Sequence, residues 1–506
     1  MTQPILSAFY DRARIHGSKP LFERPGLTPI GFETAADNVR RIAAVLAERG
    51  VTPGDRVMVQ VDKSPEAVML YLACLHVGAV FLPLNTAYTG AEVDYFLGDA
   101  EPRLVVSTPD REGEMRGRLP GGTRLETLGA NAGGTLMDAA RDAAPHETPA
   151  PRGEGDPAAI LYTSGTTGRS KGAVLTHGNL GSNAAALNDV WRFTEEDRLI
   201  HALPIFHTHG LFVACNMALT TGATMIFLTR FDEGGVIDLM SDATVLMGVP
   251  TFYSRLVKSP RLDRAATAGM RLFVSGSAPL LRDVREAFAE RTGHAILERY
   301  GMTETCMIAS NPYEGERRVG AVGFSLPDVE IRITDRETGE ALPEGETGAI
   351  EVKGPNVFDG YWRMPEKTAE EFRADGFFIT GDLGRIDEDG YLHIVGRDKD
   401  LVITGGYNVY PKEIETVIDA LPGVAESAVF GVPHPDFGEG VTAVVVPRSG
   451  QDVDVAALRS ALSGAIAKYK QPKEVMIVDE LPRNVMGKVQ KAELRKDYAD
   501  LYGAGG

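Results

Sequence analysis

The segment LYTSGTTGRSKGAVLTH, residues 161–177, concentrates glycine, serine and threonine around two cations, Arg169 and Lys171. Glycine lets backbone N–H groups approach a polyanion, and serine and threonine hydroxyls add hydrogen-bond donors at low steric cost. The lysine supplies a compact positive charge. These residue types predict a phosphate-binding loop, although a surface loop without a ligand stays open for the segment taken by itself. The spacing differs from GxxxxGKS/T, so the mechanism of P-loop nucleotidases is not indicated.

The overall charge limits the partners of such a loop. The 506-residue chain carries a formal net charge of −18. Because nucleic acids and anionic membranes would be repelled at long range, neither is an expected partner, and a phosphate must be held by local donors. The N-terminal residues include Asp11 and Arg12 where a secretory signal needs an apolar stretch, and no run is long enough to span a membrane. We therefore expect a cytoplasmic protein.

The three cysteines, Cys74, Cys215 and Cys306, are too few for a disulfide framework in a chain of this length, and none lies in a CxxC pair. They favour a reducing compartment and give no support for a zinc site. Cys306 is interpreted as a small apolar core residue rather than a nucleophile.

Alternating helix and strand patterns predict the elements that must position the loop. Residues 37–49 repeat apolar side chains at helical spacing, and a strand at 55–61, a capped helix at 64–78 and a strand at 79–84 follow. This order is typical of α/β layering, with helices covering a sheet. The alternation resumes after residue 195. The stretch 109–157, rich in proline, glycine and alanine, is expected to form loops and peripheral turns.

From residue 320, short strand patterns with Asp-Gly turns replace the helices and predict a β-rich, barrel-like subdomain. A chain of this length is too long for a single hydrophobic core. We expect a large N-terminal α/β unit over residues 1–396, which includes the β-rich subdomain, and a small α+β C-terminal unit over residues 397–506.

The phosphate-loop segment YTSGTTGRSKG resembles the signature of the adenylate-forming superfamily, which contains acyl-CoA synthetases, luciferases and peptide-synthetase adenylation domains. Companion motifs follow in the order of that family: GSAPL at 276–280, YGMTE at 300–304, TGD at 380–382, GR at 396–397, GYNVYP at 406–411 and PRNVMGKVQK at 482–491. The resemblance covers essentially the whole chain. It implies the fold of that family, with a mobile C-terminal domain, and an AMP-forming acid–thiol ligase.

The resemblance also implies roles for individual residues. Thr303, Glu304, His207 and Lys488 would be catalytic, and Glu304 would hold Mg²⁺. The residues implied to bind ATP or AMP are Thr163, Ser164, Gly165, Thr166, Thr167, Gly168, Lys171, Gly276, Ser277, Ala278, Pro279, Glu298, Arg299, Tyr300, Gly301, Met302, Thr303, Asp382, Arg397 and Lys488. In the first half-reaction a carboxylate attacks the α-phosphate of ATP, so catalysis is expected to consist mainly of positioning and charge stabilisation.

The second half-reaction, attack of the CoA thiol on the acyl-adenylate, needs a different set of residues. The resemblance implies that Gly405, Gly406 and Tyr407 bind CoA and that the C-terminal unit pivots near Lys399 between the two steps. The segment AKYKQPK, residues 467–473, contacts CoA phosphates or is simply solvated. Lys488 on an exposed loop is also a candidate for a lysine acetyltransferase, because acetylation would remove its charge.

The acyl substrate is predicted from four segments that form the pocket in relatives: residues 203–212, 249–256, 273–280 and 297–304. Two arginines in them, Arg255 and Arg299, are expected to lie in the pocket, where a buried guanidinium is costly without an anion. A diacid would supply that anion from its second carboxylate. The pattern is similar to that of malonate-activating members, so malonate, and also methylmalonate, is the expected acid, with His207 and Ser277 as further substrate ligands. His209 is interpreted as structural.

Several alternatives stay open. Arg255 could form a structural ion pair, and Arg299 could instead brace Glu298 or the fold. The runner-up function is a CoA ligase for another short, substituted monocarboxylic acid. A non-catalytic nucleotide-binding protein is less favoured, because Thr303, Glu304 and Lys488 are all present. An adenylation domain serving a carrier protein is also less expected, because no carrier-like segment follows residue 500. The sequence leaves the oligomeric state open.

Overall fold

The computed structural model describes residues 3–163, 170–405, 407–484 and 487–503. The chain forms two compact units. The first contains Met1–Val319, Gly323–Glu330 and Val352–Phe378, and the second contains Gly320–Val322, Ile331–Glu351 and Ile379–Gly506. The second unit thus takes in most of the β-rich region. The family-type boundary at 396/397 stays a prediction.

Two sheets form the framework of the first unit. One has seven strands, in the spatial order Gly360–Tyr361, Lys171–Thr176, Pro157–Thr163, Val80–Pro83, Arg56–Gln60, Leu104–Ser107 and Arg124–Thr127. The other has nine, in the order Phe324–Ser325, Cys306–Ser310, Leu297–Met302, Leu272–Ser275, Val245–Gly248, Arg198–His201, Thr224–Phe227, Pro20–Glu23 and Ile30–Gly31. Most central pairs are parallel, which requires helical crossovers.

The helices of the first unit include those crossovers. They are Pro4–His16, Phe32–Glu48, Pro65–His76, Gly90–Ala100, Glu112–Arg118, Thr135–Asp142, His177–Val190, Asn216–Thr221, Glu233–Leu239, Pro250–Leu256, Arg282–Thr292 and Pro365–Glu370, with a π-helical turn at His209–Cys215 and 3₁₀ turns at Pro109–Arg111 and Met240–Asp242. The predicted cap at Ser64 is confirmed: its side chain accepts a hydrogen bond from the backbone N–H of Ala67 at 3.1 Å, and Pro65 opens the helix.

The second unit is built on two further sheets. A four-stranded sheet has the spatial order Glu330–Thr334, Gly348–Lys353, Phe378–Ile386 and Leu392–Arg397. A five-stranded sheet contains Tyr407–Val409, Val402–Thr404, Gly438–Pro447, Val424–His434 and Glu474–Ile477. Its helices are Pro411–Asp419, Val455–Ala465 and Lys491–Asp497, with 3₁₀ turns at Asp398–Asp400 and Lys468–Lys470.

The α/β class and the division into a large and a small unit are confirmed. The prediction for residues 109–157 is wrong in part, because this stretch contains the strand Arg124–Thr127 and two short helices. The buried residues of the two helices are only Met115, Leu136 and Ala140, which is too few for a clear periodic pattern in the sequence. Among the described strands, the β-rich region forms an open four-stranded sheet rather than a closed barrel.

All three cysteines are free and buried, in agreement with the sequence interpretation. None of the helices in the described ranges has the length and apolar character needed to cross a membrane.

Candidate active site

The predicted phosphate loop joins two neighbouring strands of the seven-stranded sheet. Thr163 and Lys171 face each other as a register pair at the adjoining ends of Pro157–Thr163 and Lys171–Thr176. The antiparallel pairing therefore fixes both ends of the loop. Ser164, Gly165, Thr166, Thr167 and Gly168, together with Arg169, lie outside the described residues, and their roles stay predictions.

The YGMTE motif forms a tight turn between the antiparallel strands Leu297–Met302 and Cys306–Ser310. Gly301 is required here, because a Cβ at this position would overlap the carbonyl oxygen of Cys306. The Asn356 amide donates to the carbonyls of Thr305 and Met307 at 2.8 and 3.0 Å and braces the turn. Glu304, at the tip, is 6% exposed, and Thr163 Oγ1 lies 3.5 Å from its Oε1.

A polar cluster extends from this turn to Lys171. The Tyr361 hydroxyl lies 3.1 Å from Glu304 Oε1 and 2.9 Å from Glu371 Oε2, and the Lys171 amine lies 2.9 Å from Glu371 Oε1. Burial opposes ionisation of Glu371, but the hydrogen bonds from Lys171 and Tyr361 outweigh it and lower its pKa. The pKa of Tyr361 is raised by burial and by the charges of the two carboxylates.

Sequence reasoning missed Tyr361 and Glu371. They are separated from their partners Glu304 and Lys171 by 57 and 200 residues, so no local spacing connects them. The sequence signal for them is the mixture of aromatic and acidic residues in GYWRMPEKTAEEF, residues 360–372, which lies outside the helices and strands that the sequence predicts.

The acyl side of the site is built around Arg299, which lies on the strand after the loop that contains Gly276 and Ser277. Arg299 is 5% exposed, and burial lowers its pKa to about 9. Ser277 has a left-handed backbone, with φ of 73°, which is uncommon for a residue other than glycine. Its hydroxyl lies 3.5 Å from Nδ1 of His209.

Several buried polar atoms in the segments predicted to form the acyl pocket lack a hydrogen-bond partner within the part of the chain that the structure describes. They are Nε and Nη2 of Arg299, Nε2 of His209, Oγ1 of Thr208 and Oγ of Ser275. Buried polar groups are normally satisfied, and a buried cation more so. This cluster, which we call the Arg299 cluster, therefore has the character of a binding site for an anion.

His209 belongs to this cluster, which differs from its interpretation as a structural residue. It is 3% exposed, and its pKa is held well below the usual value by burial and by the charges of Arg299, His201 and His207. The imidazole is therefore neutral near pH 7 and offers one donor and one acceptor. Only the tertiary structure reveals this, because a His-x-His spacing does not say which ring faces the arginine.

The two remaining predicted acyl residues lie differently. His207 is partly exposed, lies two residues before the π-helical segment His209–Cys215, and has a pKa lowered to about 4 by burial. Arg255 is exposed on the helix Pro250–Leu256, with its guanidinium 5.8 Å from the ring centroid of Phe231. The expectation that Arg255 lies deep in the cleft is corrected, since water already solvates its charge. Its role in substrate binding stays a prediction.

A cavity of about 320 Å³ is bordered by Phe206 and Phe252, from two of the segments predicted to form the acyl pocket. Lys63 lines it as well: its amine donates to the carbonyl of His201 at 2.8 Å, and burial lowers its pKa to about 7. The wall is otherwise largely apolar.

The other residues implied for nucleotide binding in the first unit cluster near the same loop and turn. Ala278 and Pro279 follow Ser277 with increasing exposure, and Tyr300 and Met302 lie on the strand of Arg299. Glu298 is partly buried and pairs with Arg285 at 3.4 Å.

In the second unit, three predicted residues form a charged group. Asp382 and Arg397 are a register pair of adjacent strands, with Nε of Arg397 2.7 Å from Oδ1 of the buried Asp382. The pKa of Lys488 is lowered, first by desolvation and then by the charge of Arg397. Lys488 stands on a turn closed by hydrogen bonds between its backbone and Asn484, at 2.9 and 3.0 Å.

The predicted hinge and CoA residues also lie in the second unit. Lys399 is exposed at the centre of the 3₁₀ turn Asp398–Asp400. Gly405 has φ of 57°, and Tyr407 is 57% exposed and stacks on Tyr469, with ring centroids 4.6 Å apart. Gly406 lies outside the described residues.

Glu304 fits a magnesium ligand in its chemistry, because Mg²⁺ prefers oxygen donors and takes few of them from the protein. No group of three or more histidine, cysteine, aspartate or glutamate side chains that could hold a metal occurs among the described residues. A single carboxylate is consistent with an ion that is bound mainly by substrate phosphates and water.

Comparisons with known proteins show similarity over nearly the whole chain. The ATP-bound structure of MatB from Rhodopseudomonas palustris is 57% identical, covers 99% of this chain and 100% of its own, and superposes with a TM-score of 0.97. The feruloyl-CoA synthase of an Amycolatopsis species is 37% identical over 94% of this chain and 95% of its own length. The malonate–CoA ligase of Arabidopsis thaliana is 36% identical over 88% and 78%, respectively.

Two family models cover the chain. The model described as AMP-binding enzyme matches residues 9–362, and the model described as AMP-binding enzyme C-terminal domain matches residues 413–488. The first alone spans more than half of the sequence and includes the phosphate-loop segment, the YGMTE turn and the Arg299 cluster. The chain therefore belongs to the AMP-binding enzyme family.

Proposed function

We propose that this chain joins malonate, and also methylmalonate, to coenzyme A through an acyl-adenylate, with release of AMP and pyrophosphate. The observation that carries the choice of acid is the Arg299 cluster, a buried guanidinium with two nitrogens that lack a hydrogen-bond partner among the described residues. A second carboxylate on the substrate supplies the missing anion and accepts two parallel N–H bonds.

Sequence identity by itself separates the candidate acids poorly, because a feruloyl-CoA synthase and a malonate–CoA ligase are 37% and 36% identical to this chain. The buried guanidinium of Arg299 separates the candidate acids better. A monocarboxylate such as ferulate or propionate would leave the buried guanidinium unpaired, which costs binding free energy and selects against it. Malonate is therefore favoured over another short monocarboxylic acid.

In adenylation, negative charge develops on the oxygens of the α-phosphate while pyrophosphate departs. Lys171 and the loop before it would hold the phosphates, Thr303 would contact the AMP phosphate, and Asp382 and Arg397 would bind the ribose. A magnesium ion held by Glu304 would neutralise charge on the leaving group when bound. His207 would orient the acyl group, and its lowered pKa keeps its ring neutral.

Lys488 would serve as the adenylation lysine, the role implied by its motif. Its lowered pKa makes the amine less costly to desolvate and more open to acylation than an ordinary surface lysine. Gly405, Gly406 and Tyr407 would act in the second half-reaction with CoA, after a pivot at Lys399. Modification by an acetyltransferase at Lys488 and a cytoplasmic location remain parts of this proposal.

The proposal is tested with a panel of acids: malonate, methylmalonate, succinate, acetate, propionate and ferulate. Pyrophosphate release and CoA-thioester formation are measured for each, with and without Mg²⁺. We expect malonate to give the highest kcat/KM and acetate and propionate to be poor substrates. A preference for a monocarboxylate would replace malonate by the alternative acid, and an absence of ATP-dependent thioester with every acid would overturn the ligase assignment.

A further inference from the structure

The Tyr361 hydroxyl stands between the carboxylates of Glu304 and Glu371. Its oxygen lies 3.1 Å from the first and 2.9 Å from the second. A phenol carries a single proton, so it links the two carboxylates at a fixed separation and cannot satisfy both independently. Tyr361 is 5% exposed and Glu304 is 6% exposed, so water does not easily replace this link.

The backbone holds Tyr361 rigidly in this position. Its N–H donates to Thr368 Oγ1 at 2.9 Å, and the next residue, Trp362, donates its N–H to the carbonyl of Gly172 at 2.7 Å. The N–H of Phe358 donates to the carbonyl of Glu304 at 2.8 Å. The short strand of Tyr361 is therefore tied on one side to the strand that begins at Lys171 and on the other to the turn of Glu304.

Lys171 contacts both Glu371 and Tyr361. Its amine lies 2.9 Å from Glu371 Oε1 and 4.0 Å from the centroid of the Tyr361 ring. An ammonium group has three N–H donors, and the pair with Glu371 uses one of them. The other two N–H donors can point towards a phosphate while Glu371 still holds the amine in place.

We propose that Tyr361 and Glu371 are positioning residues for adenylation, which act through Lys171 and Glu304. Glu371 and the Tyr361 ring fix the amine that meets the phosphates, and the Tyr361 hydroxyl fixes the carboxylate of Glu304 relative to that amine. Tyr361 and Glu371 together set the distance between the Lys171 amine, which would bind phosphate, and the Glu304 carboxylate, the candidate metal ligand, before ATP binds. This inference rests on the proposed function, in which Lys171 and Glu304 serve ATP and Mg²⁺.

The test compares Glu371→Gln and Tyr361→Phe with the matched control Glu370→Gln. Glu370 and Glu371 both reach Lys367, at 3.0 and 3.2 Å, but within the described part of the chain Lys171 and the Tyr361 hydroxyl pair with Glu371 and not with Glu370. ATP affinity is measured by calorimetry in EDTA and in Mg²⁺, and kcat and KM are measured for ATP and for malonate. Melting temperatures report on folding.

We expect Glu371→Gln and Tyr361→Phe each to lower kcat/KM for ATP and ATP affinity in Mg²⁺ by about tenfold, the size of one hydrogen bond to a charged group. In both variants the KM for malonate should stay within about twofold of the value for the unmodified protein. For the control Glu370→Gln, the ATP affinity, kcat and both KM values should all stay within that range. Glu371→Gln should add nothing to Lys171→Met, because Glu371 then has no amine to hold. Tyr361→Phe keeps the ring and serves where Glu371→Gln fails to fold.

Unchanged ATP affinity in both variants, or an effect of Glu371→Gln that adds fully to that of Lys171→Met, would overturn the inference. A purely structural role would lower the melting temperature and disturb malonate and ATP parameters alike. If the unmodified protein forms the thioester and the variants match it, only this inference fails. If the unmodified protein forms no thioester with any acid, the proposed function fails instead.

Discussion

The guanidinium of Arg299 fills the space beside Gly276, so that a Cβ at position 276 would overlap its Cζ atom. Glycine at the start of the GSAPL motif is thus a condition for the position of the arginine. Because Arg299 is fully enclosed, it cannot yield to a side chain at position 276 without leaving its place in the Arg299 cluster.

Gly276→Ala is therefore expected to displace Arg299 and to lower kcat/KM for malonate by about tenfold or more, through loss of a charge-assisted hydrogen bond. Steady-state kinetics with malonate as the varied substrate measure this. In the Arg299→Ala background the same change should have little further effect, because the overlapping group is gone. Additive losses would show that Gly276 acts independently of Arg299.

Arg299→Ala should reduce kcat/KM for malonate by a factor that corresponds to ~2–5 kcal/mol, the cost of removing one partner of a buried charge pair. The loss for propionate should be far smaller, so the ratio of the two acids reports on the second carboxylate. Arg255→Ala is the parallel variant, and its exposed position predicts a much weaker effect. A loss with Arg255→Ala equal to that with Arg299→Ala would restore Arg255 as a substrate ligand.

Lys488→Ala should slow adenylation by roughly 10²–10³-fold, or about 3–4 kcal/mol, since it removes a cation from a charged transition state. Pyrophosphate release in a single turnover measures this step. Lys496→Ala, on the exposed face of the last helix, is a control with the same charge change. Equal rates for the two variants would remove Lys488 from adenylation.

Lys399→Pro tests the predicted pivot. Lys399 is the central residue of a turn whose flanks are tied within the second unit by ion pairs of Asp398 with Arg336 and of Asp400 with Arg495. Proline restricts φ at this position. We expect thioester formation to slow more than adenylation when the two half-reactions are measured separately. Equal slowing of both steps would count against a pivot at this residue.

Acid should destabilise the first unit through its buried histidines. Burial lowers the pKa of His76 and His177 to about 4, below the value near 6.5 of an unfolded chain. As the pH falls, the unfolded state therefore takes up protons before the folded state does. The contribution of these histidines to the free energy of unfolding is fully present above about pH 6.5 and is lost as the pH falls towards 4, by on the order of 3 kcal/mol per histidine.

Urea unfolding measured across this pH range should show that slope. His76→Gln should make it shallower, because one proton fewer is taken up on unfolding. The absolute stability of this variant is a separate matter, since His76 also bonds to the Tyr10 hydroxyl at 2.6 Å. An unchanged slope would mean that His76 is protonated in the folded protein.

The sequence by itself determined the motifs that resemble the family, the α/β class, the cap at Ser64 and the alternation of helices and strands along the chain. These depend on residues close together in the chain: periodic apolar side chains, glycines at turns, and a phosphate-loop composition. The sequence also identified Arg299 as a candidate substrate ligand, because a cation in a segment predicted to form an acyl pocket is unusual, whatever the direction of its side chain.

Only the tertiary structure decided which charges are enclosed and which side chains meet. Arg255 and Arg299 read alike as arginines in pocket segments, yet one helix turns its arginine outward while the strand beside Gly276 buries the other. Tyr361, Glu371 and Lys171 come together because the strand Gly360–Tyr361 pairs with Lys171–Thr176 across a long stretch of chain. Burial and long-range pairing depend on the packing of the whole unit, and no local pattern encodes them.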